Sequence, residues 1–365
     1  MDRPLWISLC TPAPAGGADA EVLRSLSAGA EPEWVRDALA ERLGPLLHRR
    51  LGAAAVPGPE SLRRAFLTSV AADAYQTAWL DEILCALAAQ GTAAALLKGA
   101  WLAEAVYSDP ALRPRTDLDL LVAPRNLLGV HEALTSLGLG ADGDPRAVGR
   151  ALAAPERAGP LCSLEYREPE RRFSCHVHWG LVNASAPLPH AARVPDAGAL
   201  LSAAREVETP RGRRLELPPA FHLCHLVEHL TRPGHPFRPL LRVVDLPWVV
   251  HRFGNRVVEE AADLARFWGI ERLFGGALAV ASRLLGVPSF AGVRARARAE
   301  NPGLAALRLH LAGCGSLPGR LRFLARSVVP HRDAAERCCD ERRSFLAEVA
   351  RRGVEGLALV LGRGA

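Results

Sequence analysis

Residues 96–122 of this chain read LLKGAWLAEAVYSDPALRPRTDLDLLV. The apolar residues before Lys98-Gly99 predict a short strand, a tight turn and the start of a helix, because glycine lets the backbone turn sharply. An arginine-containing loop follows, and residues 118–122 form a second apolar run that predicts a buried strand. The stretch therefore predicts a strand–helix–strand unit with polar residues beside the strands.

Lys98 is the only lysine in a chain that has 45 Lys and Arg residues. Lysine carries a compact point charge, whereas arginine carries a wide planar fork, so the two are not interchangeable at a demanding site. A point charge among phosphate oxygens is one reason to keep a lysine. The turn at Lys98-Gly99, followed by the free N–H groups of a helix start, is also typical of an anion site.

Asp117 and Asp119 begin the second strand and are separated by one residue. Alternate residues of a strand point to the same face, so both carboxylates should face one spot. Two such charges repel each other unless a cation lies between them, and Mg²⁺ prefers oxygen ligands. Together with Lys98, the pair predicts a site for a metal-bound nucleoside triphosphate.

The chain has 365 residues, of which 49% are hydrophobic, and a net charge of +6. We predict a helical N-terminal region at 1–90, an α/β core at 91–217 and a helical C-terminal domain at 218–365. The mild positive charge is compatible with nucleotides. No apolar run has the length of a membrane span, and eight scattered cysteines without a CxxC pair favour a reducing cytoplasm.

A hairpin is predicted from residues 161–166 and 173–181, with its turn near 168–171. This turn would set Glu165 opposite Ser174, on the face that His176 shares.

Residues 96–122 resemble the signature of a bacterial stand-alone nucleotidyltransferase family of the polymerase-β-like superfamily. The order Lys-Gly, then Arg-x-x-x-Asp-x-Asp, is also similar to abortive-infection type nucleotidyltransferase toxins. The similarity continues at residues 175–179 and 217–245, and it extends to the leading helices. It implies an α+β fold with a small mixed-sheet nucleotidyltransferase core flanked by helical regions.

The resemblance implies transfer of a nucleoside monophosphate from an NTP such as ATP to an acceptor, with release of pyrophosphate. Two Mg²⁺ ions would be held by Asp117 and Asp119. The nucleotide-binding residues would be Lys98, Gly99, Arg113, Arg115 and Thr116. The acceptor stays open among a small molecule, a peptide, a protein and a tRNA end. Related proteins are implied to serve biosynthetic clusters or toxin-like systems.

The sequence departs from the superfamily pattern at the third carboxylate, where it has His176. Imidazole accepts a proton or binds a metal, but it supplies no negative charge to Mg²⁺. Glu165, on the neighbouring strand, is the candidate replacement. The alternative is a catalytically reduced nucleotide-binding or scaffold protein.

A competing motif is His225-Leu226-Val227-Glu228-His229, which matches the HxxEH pattern of inverted zinc proteases. The two histidines share a helix face, but no third ligand is marked, so helix-face packing is the main alternative. His178, beside Trp179, is read as a structural strand residue with catalysis as the alternative. Asp245 is expected to pair with an arginine such as Arg242 or Arg238, or to cap a turn.

Overall fold

A computed structural model describes residues 5–12, 33–155, 162–181, 196–209, 212–232, 237–287, 290, 302–314 and 316–328. The last part of the predicted C-terminal helical domain, 329–365, lies outside these residues. The division at 90/91 and 217/218 stays a prediction.

The described part of the N-terminal region is mainly helical, as its apolar periodicity predicts. It contains α1 (Glu33–Ala40), α2 (Gly44–Ala53) and α3 (Glu60–Ala89). The 30-residue α3 starts after Pro59, which cannot continue a preceding helix, and ends before Gly91, whose φ of 66° reverses the chain. A single long helix therefore forms the last part of the predicted helical N-terminal region.

The strand–helix–strand unit at 96–122 is present. It consists of β1 (Ala95–Leu97), α4 (Lys98–Ala105) and β2 (Asp117–Leu121), with a short 3-10 helix at Pro110–Leu112 before β2. All three residues of β1 and the last four of β2 are buried, and all of these except Asp119 are apolar. α5 (Leu127–Ser136) then follows.

Five further strands complete the sheet, and two of them form the predicted hairpin. The elements are β3 (Gly140–Ala141), α6 (Pro145–Ala153), β4 (Ser163–Arg167), β5 (Ser174–His178), α7 (Ala197–Ser202), β6 (Arg205–Thr209) and β7 (Gly212–Glu216). The strand order is β3-β4-β5-β2-β1-β7-β6. β2 runs parallel to β5 and antiparallel to β1, so the sheet is mixed and the fold is α+β, as predicted.

The described C-terminal part is helical. It contains α8 (Pro219–Leu230), α9 (Leu240–Phe253), α10 (Arg256–Phe267), α11 (Glu271–Leu285), α12 (Pro302–Gly313) and α13 (Leu317–Val328). Buried apolar residues from the N-terminal helices, the sheet and α8–α12 form one continuous core. None of the described helices combines the length and the hydrophobicity that a bilayer-spanning segment requires.

Candidate active site

Polar side chains line one face of the central strands β2, β5 and β4. Parallel pairing sets Asp119 beside His176, and antiparallel pairing sets Glu165 on the other side of His176. Because alternate residues in a strand point to the same face, Asp117 lies on this face as well. The sheet therefore gathers three carboxylates and the His176 imidazole on one surface, and His178 follows on the same face of β5.

Lys98 reaches this face from the turn between β1 and α4. Its φ of 44° lies in the left-handed region, which costs a residue other than glycine about 1–3 kcal/mol. The Lys98 Nζ atom lies 2.6 Å from Asp119 Oδ1. The strained turn thus directs the ammonium group to the carboxylate.

Asp119 is the most deeply buried acid on this face, with a side chain that is 1% exposed. Burial alone would raise its pKa, but Lys98, His178 and His176 outweigh burial and hold the pKa well below its usual value. Asp119 is therefore ionised at neutral pH. Its Oδ2 atom is buried and has no hydrogen-bond partner within the described ranges.

His178 is bound to the same carboxylate. Its Nε2 atom lies 2.7 Å from Asp119 Oδ1. Burial and the nearby Lys98 ammonium lower the pKa of His178 to about 4, so the ring is neutral and donates from Nε2. The sequence leaves a structural and a catalytic reading of His178 open; the i, i+2 spacing of His176 and His178 places both rings on one strand face and favours a place in the site.

His176 lies between two carboxylates. Its Nδ1 atom is 3.9 Å from Asp119 Oδ1, and its Nε2 atom is 3.7 Å from Glu165 Oε2. Burial disfavours the charged ring, but Glu165, Asp119 and Asp117 outweigh burial and raise the pKa of His176. His176 in turn is the main cause that lowers the pKa of Glu165.

Glu165 reaches the site in a register that differs from the predicted one. The expectation that Glu165 lies opposite Ser174 is wrong by two residues, since Glu165 pairs directly with His176. The loop at 168–173 is wider than a tight hairpin turn because the Glu168 carboxylate accepts two backbone N–H groups inside it. The predicted shared face is retained.

Arg113 lies beside α4 and is held by Asp245. Its Nη2 atom donates to Asp245 Oδ2 at 2.9 Å and its Nε atom to Oδ1 at 3.3 Å, while Tyr107 donates to the same Oδ1 at 2.8 Å. Burial opposes the charge on Arg113, but Asp245 outweighs burial and raises its pKa. Asp245 thus pairs with an arginine, as expected, but the partner is Arg113 and not Arg242 or Arg238.

Gly99 makes room for Arg113. A Cβ atom at position 99 would lie 2.8 Å from Arg113 Nη1, closer than real Cβ contacts allow. The sequence predicts that Gly99 lets a phosphate group come close to the backbone. The same lack of a side chain also leaves room for the Arg113 guanidinium group.

Arg115 and Thr116 lie on the loop that enters β2. Arg115 Nη2 is 2.9 Å from Asp73 Oδ1 and donates to Thr77 Oγ1 at 3.1 Å, while Arg115 Nε donates to Gln76 Oε1 at 3.0 Å; all three partners lie in α3. The Thr116 side chain is exposed, and its carbonyl accepts a backbone N–H of β5 at 3.3 Å. Arg115 thus fixes the start of β2 to α3; the nucleotide-binding roles of both residues stay predictions.

Residues 31–286 match the model of a protein family described as uncharacterised nucleotidyltransferase. The match covers more than two thirds of the chain and includes β1, α4, β2 and β5. The chain belongs to this nucleotidyltransferase family. A comparison with curated proteins finds no match.

Members of a nucleotidyltransferase family act on nucleoside triphosphates with a divalent metal, and this family member offers ligands for one. The ionised Asp119 has a free oxygen, and the half-buried Asp117 has no hydrogen bond or ion pair with any described residue. Asp119, His176 and His178 also offer ligand atoms within 4.8 Å of one another, the only such group of His, Cys, Asp or Glu among the described residues. Carboxylates suit Mg²⁺ and Mn²⁺, whereas the added imidazoles suit ions such as Zn²⁺ or Fe²⁺.

The residues of the HxxEH motif lie on α8 of this family member. The Glu228 carboxylate is bound by Arg232 at 2.7 and 3.0 Å, and His225 is buried in α8. Neither belongs to a group of three metal-ligand residues in the described part of the chain. The zinc-hydrolase hypothesis therefore gains no support.

Proposed function

We propose that this family member is a Mg²⁺-dependent nucleotidyltransferase that moves a nucleoside monophosphate from an NTP to an acceptor. The observation that carries the proposal is the buried, ionised Asp119, which has one oxygen bound by Lys98 and His178 and the other free. Asp117 lies on the same face and adds a second carboxylate. Two Mg²⁺ ions at these carboxylates are the proposed cofactors.

In the proposed reaction, the acceptor hydroxyl oxygen forms a bond to the α-phosphorus of the NTP. The bond between that phosphorus and the oxygen bridging to the β-phosphate breaks, and pyrophosphate leaves. The acceptor proton passes to His176, whose second nitrogen faces Glu165. Bound Mg²⁺ supplies neutralisation of the phosphate charge and activation of the acceptor oxygen.

Lys98 supplies the positive charge closest to Asp119, and it stabilises phosphate charge at the edge of the same site. Gly99, Arg113, Arg115 and Thr116 are the other proposed nucleotide-binding residues. The acceptor is a small molecule, a peptide, a protein or a tRNA end. A reducing cytoplasm is the proposed location, supported by the absence of a disulfide bond at the six described cysteines.

The test combines binding and turnover. NTP binding is measured by calorimetry with each of the four NTPs, with Mg²⁺, Mn²⁺ or a chelator, and pyrophosphate release is measured with candidate acceptors. Asp117→Asn and Asp119→Asn should abolish metal-dependent binding and turnover. Asp142→Asn, which changes an exposed carboxylate paired with Arg167, is the matched control.

Unchanged binding and unchanged pyrophosphate release in both aspartate variants would refute the proposal. Metal-dependent binding without turnover under every acceptor condition would instead favour the catalytically reduced nucleotide-binding protein, for which His176 at the third carboxylate position is the supporting observation.

A further inference from the structure

Arg42 and Arg242 come from distant parts of the chain, and the fold brings their backbone positions close together. Arg42 lies in the turn between α1 and α2, and Arg242 in the first turn of α9. The residues before them are hydrogen-bonded, because the Glu41 carbonyl accepts the N–H of Leu241 at 3.2 Å. The Glu41 carboxylate also accepts the N–H of Leu240 at 2.6 Å. The two arginines therefore leave neighbouring backbone positions.

Neither guanidinium group forms an ion pair with any residue in the described ranges. Arg42 Nη2 donates to the carbonyl of Pro114 at 3.2 Å, and Arg242 Nη1 donates to the carbonyl of Arg238 at 3.4 Å. Each group keeps further N–H donors for a ligand, since a guanidinium group has five. Pro114 lies three residues before Asp117, so Arg42 is anchored at the entrance to β2.

Two neighbouring arginines, in contrast, do form ion pairs. Arg238 is paired with Glu41, and Arg113 is paired with Asp245. These two acids are therefore already neutralised by partners of their own. Asp117 is the acid left near the arginines that have no partner.

Arg42, Arg242, Arg113 and Asp117 lie close enough for their charges to interact. Arg42 and Arg242 are half-buried, and burial lowers the pKa of both, with Arg113 lowering it further. The carboxylate of Asp117 acts in the opposite direction on both. Holding half-buried positive charges together costs free energy, and a bound anion would offset that cost.

We propose that Arg42 and Arg242 form a binding site for the two outer phosphates of the nucleoside triphosphate, next to the metal-binding carboxylate Asp117. The identity of the ligand rests on the proposed function. The site joins the N-terminal helical region to α9, so the helices outside the sheet take part in substrate binding. It also receives the pyrophosphate group when the α–β bond breaks.

The chemistry of the site selects a compact oligophosphate. Each guanidinium group can bind two phosphate oxygens. Two such groups therefore suit a ligand with several phosphate groups better than a ligand with a single carboxylate. The adjacent Asp117 carboxylate repels an anion with a single charge, whereas a triphosphate carries enough negative charge to bind both arginines even without its divalent ion. Two arginines are too few for a nucleic-acid backbone, which needs an extended row of positive charges.

The experiment uses inorganic tripolyphosphate as the probe, so it requires neither a known base nor a known acceptor. Calorimetry in the presence of a chelator should show binding to the full chain with a dissociation constant below about 1 mM. The double variant Arg42→Gln/Arg242→Gln should weaken this binding at least tenfold. Asp117→Asn, which removes the facing negative charge, should strengthen it.

The matched control is Arg252→Gln, which removes one arginine from the same helix about 15 Å along its axis. This variant should keep the wild-type affinity for tripolyphosphate. Arg242→Gln alone is the second test variant, since it leaves the Arg42–Pro114 contact intact. Thermal unfolding of each variant shows that the fold is retained.

Failure of this inference and failure of the proposed function give different results. Wild-type affinity for tripolyphosphate in the double and single arginine variants, or no binding by the wild type, would overturn the arginine site. Unchanged turnover in Asp117→Asn and Asp119→Asn would overturn the enzyme but leave the tripolyphosphate result standing. A tenfold loss in the arginine variants alone supports the site in either case.

Discussion

Lys98 and Asp119 are 21 residues apart in the chain and 2.6 Å apart in space, where the Lys98 ammonium donates to Asp119 Oδ1. His178 donates to the same oxygen at 2.7 Å. The second oxygen, Oδ2, is left without a partner among the described residues. A compact ammonium therefore neutralises this buried carboxylate and still leaves an oxygen for a ligand, which explains why the only lysine of the chain stands at this position.

Removing the Lys98 charge should destabilise the protein. Lys98→Met leaves Asp119 buried without its ammonium partner, and breaking a buried ion pair costs about 3–5 kcal/mol. Because His178 still binds Asp119, we expect the free energy of unfolding, measured with urea, to fall by about 3 kcal/mol, the lower end of this range. The double variant Lys98→Met/Asp119→Asn should regain part of this loss, and a double variant that is less stable than Lys98→Met would contradict the assignment.

Arginine at position 98 should preserve stability but not activity. A guanidinium fork binds both oxygens of a carboxylate, so Lys98→Arg would occupy the Asp119 Oδ2 atom that the metal requires. We expect metal-dependent pyrophosphate release to fall about 100-fold, with unfolding close to that of the wild type. Full activity of Lys98→Arg would show that Oδ2 is not a ligand.

Alanine at position 99 should destabilise the protein, although alanine is a better helix residue than glycine. The added Cβ would lie 2.8 Å from Arg113 Nη1, and Arg113 is fixed by Asp245. We expect Gly99→Ala to lower the free energy of unfolding by about 1 kcal/mol, measured with urea.

The matched control is Gly149→Ala in α6, where an added Cβ would meet nothing within 4 Å. This change should stabilise the protein by about 0.5–1 kcal/mol. Equal stabilisation by both substitutions would mean that Gly99 does not hold a space for Arg113.

The sequence predicts the centre of the site because its parts are local. Lys98-Gly99 follows β1 directly, and the alternation of Asp117 and Asp119 in β2 sets their common face through the two-residue period. The hairpin of β4 and β5 was also predictable from its apolar residues and its turn. Its register was not, because the width of the loop depends on hydrogen bonds of Glu168 to the backbone.

The edges of the sheet and the arginine contacts were not predictable. β6 and β7 have charged sequences without a clear alternation of apolar and polar residues. Strand pairing stabilises them instead, because β7 pairs with β1 and β6 pairs with β7. The partners of Arg113, and the meeting of Arg42 with Arg242, depend on how α9 packs against the turn at residue 41. A contact between residues 200 positions apart leaves no periodic signal in the sequence.

His176 and Glu165 should contribute unequally to turnover. His176 faces Asp119 directly, whereas Glu165 contacts His176 and is also bound by Arg167 at 2.8 Å. We expect His176→Asn to lower the rate of pyrophosphate release about 100-fold and Glu165→Gln about tenfold. Arg167→Gln is the control and should retain the rate; a Glu165→Gln loss as large as that of Asp119→Asn would identify Glu165 itself as the third acid.

Buried His222 should make the protein sensitive to acid. Its ring stacks on Trp101 at 3.8 Å, neither ring nitrogen has a hydrogen-bond partner among the described residues, and burial lowers its pKa to about 3. An unfolded histidine has a pKa of about 6.5, so the unfolded chain binds a proton below that pH that the folded chain excludes. The contribution of His222 to the free energy of unfolding is therefore full above pH 6.5. It decreases as the pH falls towards 3, by up to about 1.4 kcal/mol per pH unit.

His222→Phe keeps an aromatic ring against Trp101 and cannot bind a proton. Urea unfolding at pH 7 and pH 5 should show that the variant loses about 2 kcal/mol less stability than the wild type over this interval. At pH 7 the variant should be at least as stable as the wild type, because two unpartnered ring nitrogens are removed from the core. The exposed His251, changed to Gln, is the matched control and should keep the wild-type pH dependence. The same pH dependence in His222→Phe and in the wild type would show that His222 is not the buried neutral ring that this packing requires.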